Sequence, residues 1–544
     1  MPSVVTSRNS RSRAPEIANA SVKWINGGIV CCLFIFAVFA PNSIALAQIA
    51  WLLGMVLWVV RFAFYPPPRT FRTPLDYALL GFFVLSGVSA LFSYVPIMSI
   101  GKMRAASLFT IVYLVAQNVS SLRVARLLAL ALIASCMTNV AFTAGEVLVG
   151  RGIKLEGVQV SSPLAKAVFH TRTVTQPTPV INGDTVLEVD GRRVSDAEEL
   201  AAALAGGVGA GKSALIKIYR VEWTPALEVP RGQLLAGTTS QEQLGISGWV
   251  RGRDFRATGF FGHWVTYAEV LQLIASLTLG LLLALPTKRS WTGALLLLAL
   301  AGLCFALALT VTRASWLGFL ISATLMLFLI ASRRTLVIVG ACIVPIMLAG
   351  LFLLQQKRSI GFFDSHDQST AWREAVWREG FQLLISKPRH LLVGVGVDSI
   401  KGHWREWGLF ENGRLPVGHM HSNLLQIALE RGVPALIVWL LLLGLYARML
   451  WQLFRRMRSQ NTGAKVAEEL RTSGNGAVLV WIDRSAWIDG GIVVGALGGL
   501  AGFFASGLVH YNWGDSEVVM VFYFIMGLSL AVHRENQVGA PHSR

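Results

Sequence analysis

The chain has 544 residues, 54% of them hydrophobic and only 14% charged, against roughly 25% charged in an ordinary soluble domain. So apolar a chain cannot form a single water-soluble globule; a disordered chain, a coiled coil and a disulfide scaffold are excluded with it, since the five cysteines all lie in apolar runs without CxxC or Cys/His metal spacing. The formal charge of +18, from 48 Lys+Arg against 30 Asp+Glu, would suggest nucleic acid in a soluble protein, whereas in a membrane protein it marks cationic loops on the cytoplasmic side.

A basic start (Arg8, Arg11, Arg13, Lys23) precedes the first apolar run and reads as a signal anchor, not a cleaved leader. A bilayer core about 30 Å thick takes about 20 apolar residues of helix. About twelve runs meet that measure: 24–40, 43–60, 77–94, 105–119, 127–148, 264–285, 291–309, 314–331, 336–354, 433–453, 488–508 and 516–533. The fourth is the weakest, because Lys102, Arg104 and Gln117 crowd it. The expected fold is an all-α polytopic membrane protein with about twelve transmembrane helices, interrupted by one small α/β domain.

With the N-terminus in the cytoplasm, cytoplasmic connections carry Arg61, Arg69, Arg72, Arg123, Arg126, Lys288, Arg289, Arg333, Arg334, Arg448, Arg455, Arg456 and Arg458. Short connections on the other side carry only Lys102, Arg104 and Arg313. The bias places both termini inside. The chain then divides into a cytoplasmic tail (1–23), five spans (24–150), an outer domain (155–232), four spans (250–354), an outer loop (355–432), three spans (433–533) and a second cytoplasmic tail (534–544).

The outer domain is polar and alternates as strands do at Thr185-Val186-Leu187-Glu188-Val189 and again from Ala214 to Val221. Ser195-Asp196-Ala197-Glu198 reads as a capping box opening a helix that runs through Ala205. The run from Gly206 to Ser213 satisfies G-x-x-x-x-G-K-S, but a P-loop needs a strand before it and a helix after it. Here the helix precedes and the strand follows, so a Gly-rich turn is the better reading. In the outer loop, Ser369 or Thr370 can cap a helix carrying Trp372, Arg373, Trp377 and Arg378. Arg373 and Trp377 share a face, as in an amphipathic helix at the membrane surface.

Three features converge on the outer side. Arg256 lies just before a span within Arg-Ala-Thr-Gly-Phe-Phe-Gly, Arg313 lies at the turn between two spans within Thr-Arg-Ala-Ser-Trp-Leu, and His419 and His421 stand at the mouth of another. The plain alternatives are arginines snorkelling to head groups and structural histidines. Both arginines sit on the side that normally avoids Arg, beside small or hydroxyl residues. Glu269 falls inside a span, where an ionisable group is functional or paired; pairing with a nearby cation is the preferred reading. The turn holding His510, Tyr511, Asn512, Trp513, Asp515 and Glu517 either lines a cavity or is a solvated loop. No outside carboxylate cluster has metal-ligand spacing, which favours chemistry without a metal or other cofactor.

The order and sidedness of these motifs, with Trp-Arg-x-x-x-Trp and His-x-His in the long outer loop, resemble the O-antigen ligase family. Its superfamily includes O-antigen polymerases and protein O-oligosaccharyltransferases. The resemblance covers about 1–150 and 250–533. The inserted domain is separately similar to a periplasmic PDZ domain, through Gly183 to Val194 and Ser162 to Ala167, with an insertion at 168–182.

The family resemblance implies a multi-pass bacterial inner-membrane enzyme with its site facing the periplasm. Its donor would be a glycan on undecaprenyl diphosphate, and its acceptor a hydroxyl, lipid A–core first among them. His421, in register with Leu425, matches the catalytic position, although Ser422 stands where the family commonly has Asn. Arg256 and Arg313 match the donor-binding arginines; His419, Arg373, Arg378, Glu269 and His510 are accessory candidates. An always-charged, bidentate guanidinium suits a diphosphate leaving group, and imidazole can take a hydroxyl proton.

Alternatives are a protein O-oligosaccharyltransferase, a polymerase of O-antigen or exopolysaccharide, and, in other classes, a polysaccharide transporter or a PDZ-bearing envelope scaffold. Membrane lipids are expected partners, a periplasmic protein could dock on the PDZ-like domain, and nucleic acid is not expected.

Overall fold

The computed structural model describes residues 10–64, 72–171, 173–206, 211–220, 223–332, 334, 337, 341, 368–472 and 485–538. The chain opens with α1 (Ser10–Phe39), α2 (Ile44–Phe64), α3 (Asp76–Leu91), α4 (Pro96–Asn118) and α5 (Leu122–Val149). Helix α4 is the weak fourth span. It starts earlier than expected and runs as short segments that break at Lys102, whose ammonium pairs with Asp398 at 3.0 Å.

Helix α5 ends at Gly150, whose φ of 86° few L side chains adopt, and a Cβ there would meet Arg251 Cγ at 2.5 Å. This tight exit launches the inserted domain. Strands β1 (Ile153–Glu156), β2 (Val168–His170), β3 (Thr175–Pro177), β4 (Thr185–Val189), β5 (Arg192–Arg193), β6 (Ser213–Tyr219), β7 (Ala226–Pro230) and β8 (Gly248–Arg251) form one antiparallel sheet. Its order is β3-β2-β7-β6-β4-β1-β8, with β5 paired to β4.

The insert also holds α6 (Ala197–Ala205) and α7 (Ser240–Leu244). Its core joins Val186, Ile216 and Ile218 of the sheet to Leu200 and Leu204 of α6. The folded unit extends past residue 232, because β8 pairs with β1. The cap of α6 is also one residue later than the expected box: Asp196 accepts from the Glu199 N–H at 2.9 Å, and Glu199 accepts from Ser195. Helix α6 precedes the Gly-rich turn and β6 follows it, the reverse of a P-loop; residues 207–210 of that turn lie outside the described residues.

The second half holds α8 (Trp264–Ala284), α9 (Trp291–Leu309), α10 (Arg313–Ile330), the loop helices α11 (Gln368–Ile385), α12 (Pro388–Val393) and α13 (Asn423–Arg431), then α14 (Val433–Thr472), α15 (Ala486–Gly507) and α16 (Ser516–Val538). Ten described helices are long and apolar enough to cross a bilayer, and the 16-residue α3 is a shorter apolar one. Eleven of the expected runs therefore fall on helices; the ninth, 336–354, lies outside the described residues. Helix α11 is already under way at Gln368, so Ser369 and Thr370 lie within it and do not cap it.

Helices α8, α15 and α16 form the bundle's centre. Gly280 and the Gly491/Gly495 pair let α8 and α15 touch backbone to backbone: a Cβ on Gly280 would sit 2.4 Å from Gly495 N. Gly318 of α10 approaches Gly502 of α15 in the same way. These contacts bring three helix ends together on the face that carries the insert.

Candidate active site

Glu269, in the second turn of α8, is fully buried at 0% exposure. Its Oε1 accepts from Ser315 Oγ at 3.0 Å and His510 Nδ1 at 3.1 Å. Its Oε2 accepts from Ser506 Oγ at 2.8 Å and Asn512 Nδ2 at 3.2 Å. A carboxylate has about four lone-pair sites, and all are answered here. Its ionisable partner is His510, joined by three neutral donors from α10, α15 and the turn after α15. That turn is buried at His510, Asn512 and Trp513 and is not a solvated loop.

Asn512 passes the network on. Its Oδ1 accepts from Asn423 Nδ2 at 2.6 Å, and Asn423 Oδ1 accepts from the Trp513 N–H at 3.1 Å. Asn423 begins α13, two residues after His421. His421 has a left-handed φ of 48°, a conformation few side chains adopt. Its N–H donates to His419 Nδ1 at 3.2 Å, and the two rings lie 4.0 Å apart.

Both histidines lie in irregular chain, because the helix starts only at Asn423. His419 is engaged as an acceptor. Burial pulls its pKa down to about 4. His421 is lowered further, first by burial and then by the charges of His419, His510, Arg373 and His263. Both imidazoles are therefore neutral at pH 7.

The tryptophans of α11 face this pair, not a membrane surface. Trp372 meets the His421 ring edge-on at 4.5 Å, and Trp377 Nε1 donates to the Met420 carbonyl at 2.8 Å. Arg373 is half-buried on the same helix; Arg378 is exposed, and no contact joins it to the histidines among the described residues.

The arginines share one turn. Arg256 Nε donates to the Thr310 carbonyl at 3.1 Å and Nη2 to the Val311 carbonyl at 2.5 Å. Its guanidinium lies 4.7 Å over Trp264. Arg313 opens α10 two residues beyond Val311, and Ser315 on that helix reaches Glu269. His263 stacks on Trp264; burial, Arg256 and His510 lower its pKa. Asp515 accepts from Thr266 at 3.0 Å, and burial raises it to about 7. Among the described residues, no three His, Cys, Asp or Glu side chains gather as a metal site requires.

The sequence reading missed Ser315, Ser506 and Asn423 as parts of this site. It also missed a second buried carboxylate, Glu430. Its Oε2 accepts from Arg431 at 2.9 Å and Tyr511 at 3.2 Å, and its Oε1 from Gln426 at 2.8 Å. Tyr511 in turn stands beside the His419 ring. Adjacent ionisable residues just ahead of a span were the available signal.

A bundle of bilayer-length helices with carboxylates, imidazoles and guanidinia gathered at one face is a multi-pass membrane protein with a buried polar network. Residues 294–440 match the family model described as O-antigen ligase. Residues 294–440 thus carry an O-antigen ligase domain, which indicates a glycosyl-transferring enzyme of the ligase or polymerase type. The family implies a lipid-linked glycan donor and a lipid-type acceptor. The matched stretch contains Arg313, Arg373, Arg378, His419 and His421; Arg256, Glu269 and His510 join it only through folding. A comparison with curated proteins finds no match.

Proposed function

We propose that this enzyme transfers a glycan from an undecaprenyl-diphosphate donor to a hydroxyl of lipid A–core, without a metal, at the periplasmic face of the inner membrane. What supports the reading is the hydrogen-bonded carboxylate of Glu269: Ser315, two residues after Arg313 on the turn that Arg256 braces, donates to it, and Asn512 links it to Asn423, two residues after His421. The Lys/Arg-rich connections at the opposite face support the orientation.

In the reaction, the acceptor oxygen attacks the anomeric carbon and the bond from that carbon to the phosphate oxygen breaks. The electron pair leaves on the polyprenyl diphosphate, and the hydroxyl proton passes to His421. Arg313 and Arg256 hold the charge that grows on the leaving diphosphate; Arg256 also braces the turn before Arg313. His421 is the base because it is neutral and stands at the position that matches the family's catalytic histidine. His419 is a positioning residue, its Nδ1 committed to the His421 N–H. One direct displacement inverts the anomeric centre.

The test is transfer by the purified protein in lipid nanodiscs, given a lipid-linked glycan and each acceptor in turn. Product on lipid A–core supports the reading. Product only on a protein serine or on a second glycan would reassign the acceptor, and no product with any acceptor would refute it.

A further inference from the structure

Where α5 passes into the insert, a cavity of about 420 Å³ opens, away from the histidines. Phe142, Gly145 and Glu146 of α5 line one side, and Arg151, Arg193 and Arg251 the other. Glu146 is buried, with its Oε1 3.0 Å from Arg193 Nη1 and 3.8 Å from Arg151 Nη1. Arg151 also pairs with Glu188 at 3.0 Å and donates to Thr258 at 3.2 Å. Its Nε, buried in the cavity wall, has no hydrogen-bond partner. Three guanidinia against one carboxylate in the lining leave the cavity cationic.

The level of the cavity narrows the choice of ligand. It sits at the end of a bilayer-length helix, beside Leu148 and Val149, which are 78% and 68% exposed. A molecule held there has apolar helix surface below it and guanidinia above it, the arrangement an anionic amphiphile fits. Guanidinium forks match phosphate oxygens two at a time. We propose that this cavity binds the phosphate of a membrane lipid's head group, at the seam between insert and bundle. The site is distinct from the arginine turn but touches the same segment: Arg151 reaches Thr258, and Phe142 packs on Phe260 with ring centroids 4.6 Å apart. A bound head group therefore braces the strand of chain that carries Arg256.

Two variants of the full-length protein test this by native mass spectrometry. Gly145→Leu fills the cavity without a backbone clash, since a Cβ there meets nothing within 4 Å. Arg193→Gln/Arg251→Gln removes the guanidinia at the mouth. Phosphatidylglycerol is titrated against diacylglycerol, which lacks the phosphate, with and without inorganic phosphate. The wild type should retain one phosphatidylglycerol that either variant binds about tenfold more weakly or worse, the scale of one lost charge-assisted hydrogen bond. Diacylglycerol should not be retained, and inorganic phosphate should not displace the lipid. Equal phosphatidylglycerol retention in the wild type and Gly145→Leu would overturn the proposal, as would equal retention of diacylglycerol. Displacement by inorganic phosphate would overturn the lipid assignment in favour of a free anion. If the double variant fails to fold, Gly145→Leu alone decides the matter.

Discussion

The bundle buries two carboxylates in opposite ways. Near the face away from the insert, Asp489 of α15 meets Arg126 of α5 in a bidentate pair at 2.8 and 2.6 Å. Here one cation grips one anion through both carboxylate oxygens. At the insert face, Glu269 is answered by four donors, of which only His510 is ionisable. The charge is spread over α8, α10 and α15, and the network continues through Asn512 to Asn423, two residues after His421. The bidentate pair ties α5 to α15. A branched network sets the positions of several groups at once, as a site for chemistry requires.

That contrast is breakable, starting where the effect is largest. Replacing His421 by Ala should cut turnover by about 100- to 10,000-fold, the usual cost of a lost general base. His421→Asn should do the same while tolerating the left-handed backbone better. Arg126→Ala should instead cost about 3–5 kcal/mol of stability by stranding a buried charge, while Arg126→Leu/Asp489→Leu should recover most of it. Thermal unfolding reads the stability, and turnover per folded molecule should stay near wild type in both. Glu269→Gln turns one acceptor oxygen into a donor facing other donors, at about 1–3 kcal/mol. Here turnover per folded molecule should fall as well; intact turnover would make Glu269 as purely structural as Asp489.

The smallest effect is on pH. Burial and neighbouring cations lower His421, so its basic form persists below the ordinary imidazole value of about 6.5. The acid limb of kcat/KM should therefore lie below that value. Arg373→Gln removes one of the lowering charges, so His421 gains its proton at higher pH and the limb should move up by a fraction of a unit. An unmoved limb would separate Arg373 from the base.

The two regions also differ in how far they can be read from sequence. Apolar length alone finds the spans, and the alternation at Thr185–Val189 coincides with β4. Glu269 stands out because an ionisable residue inside a span demands a partner. Arg256 and Arg313 stand out as arginines beside small residues on the arginine-poor side. Ser315, Ser506 and Asn423 do not, because a neutral side chain is ordinary until three helices place it around one carboxylate. The end of the insert was misjudged because β8 is recognisable only by its pairing with β1, from which almost a hundred residues separate it. The close approach of His419 and His421 is not legible either, because it depends on a left-handed backbone at His421 that the residue types do not announce.

If the arginines hold the donor and His421 takes the proton, donor affinity and turnover part company when measured together in wild type, Arg313→Lys and His421→Ala. His421→Ala should bind the lipid-linked donor like wild type and transfer nothing detectable. Arg313→Lys, which keeps the charge but loses the fork, should bind donor more weakly and turn over what it binds. Near-normal turnover in His421→Ala, or donor binding unaltered in Arg313→Lys, would overturn this division of roles.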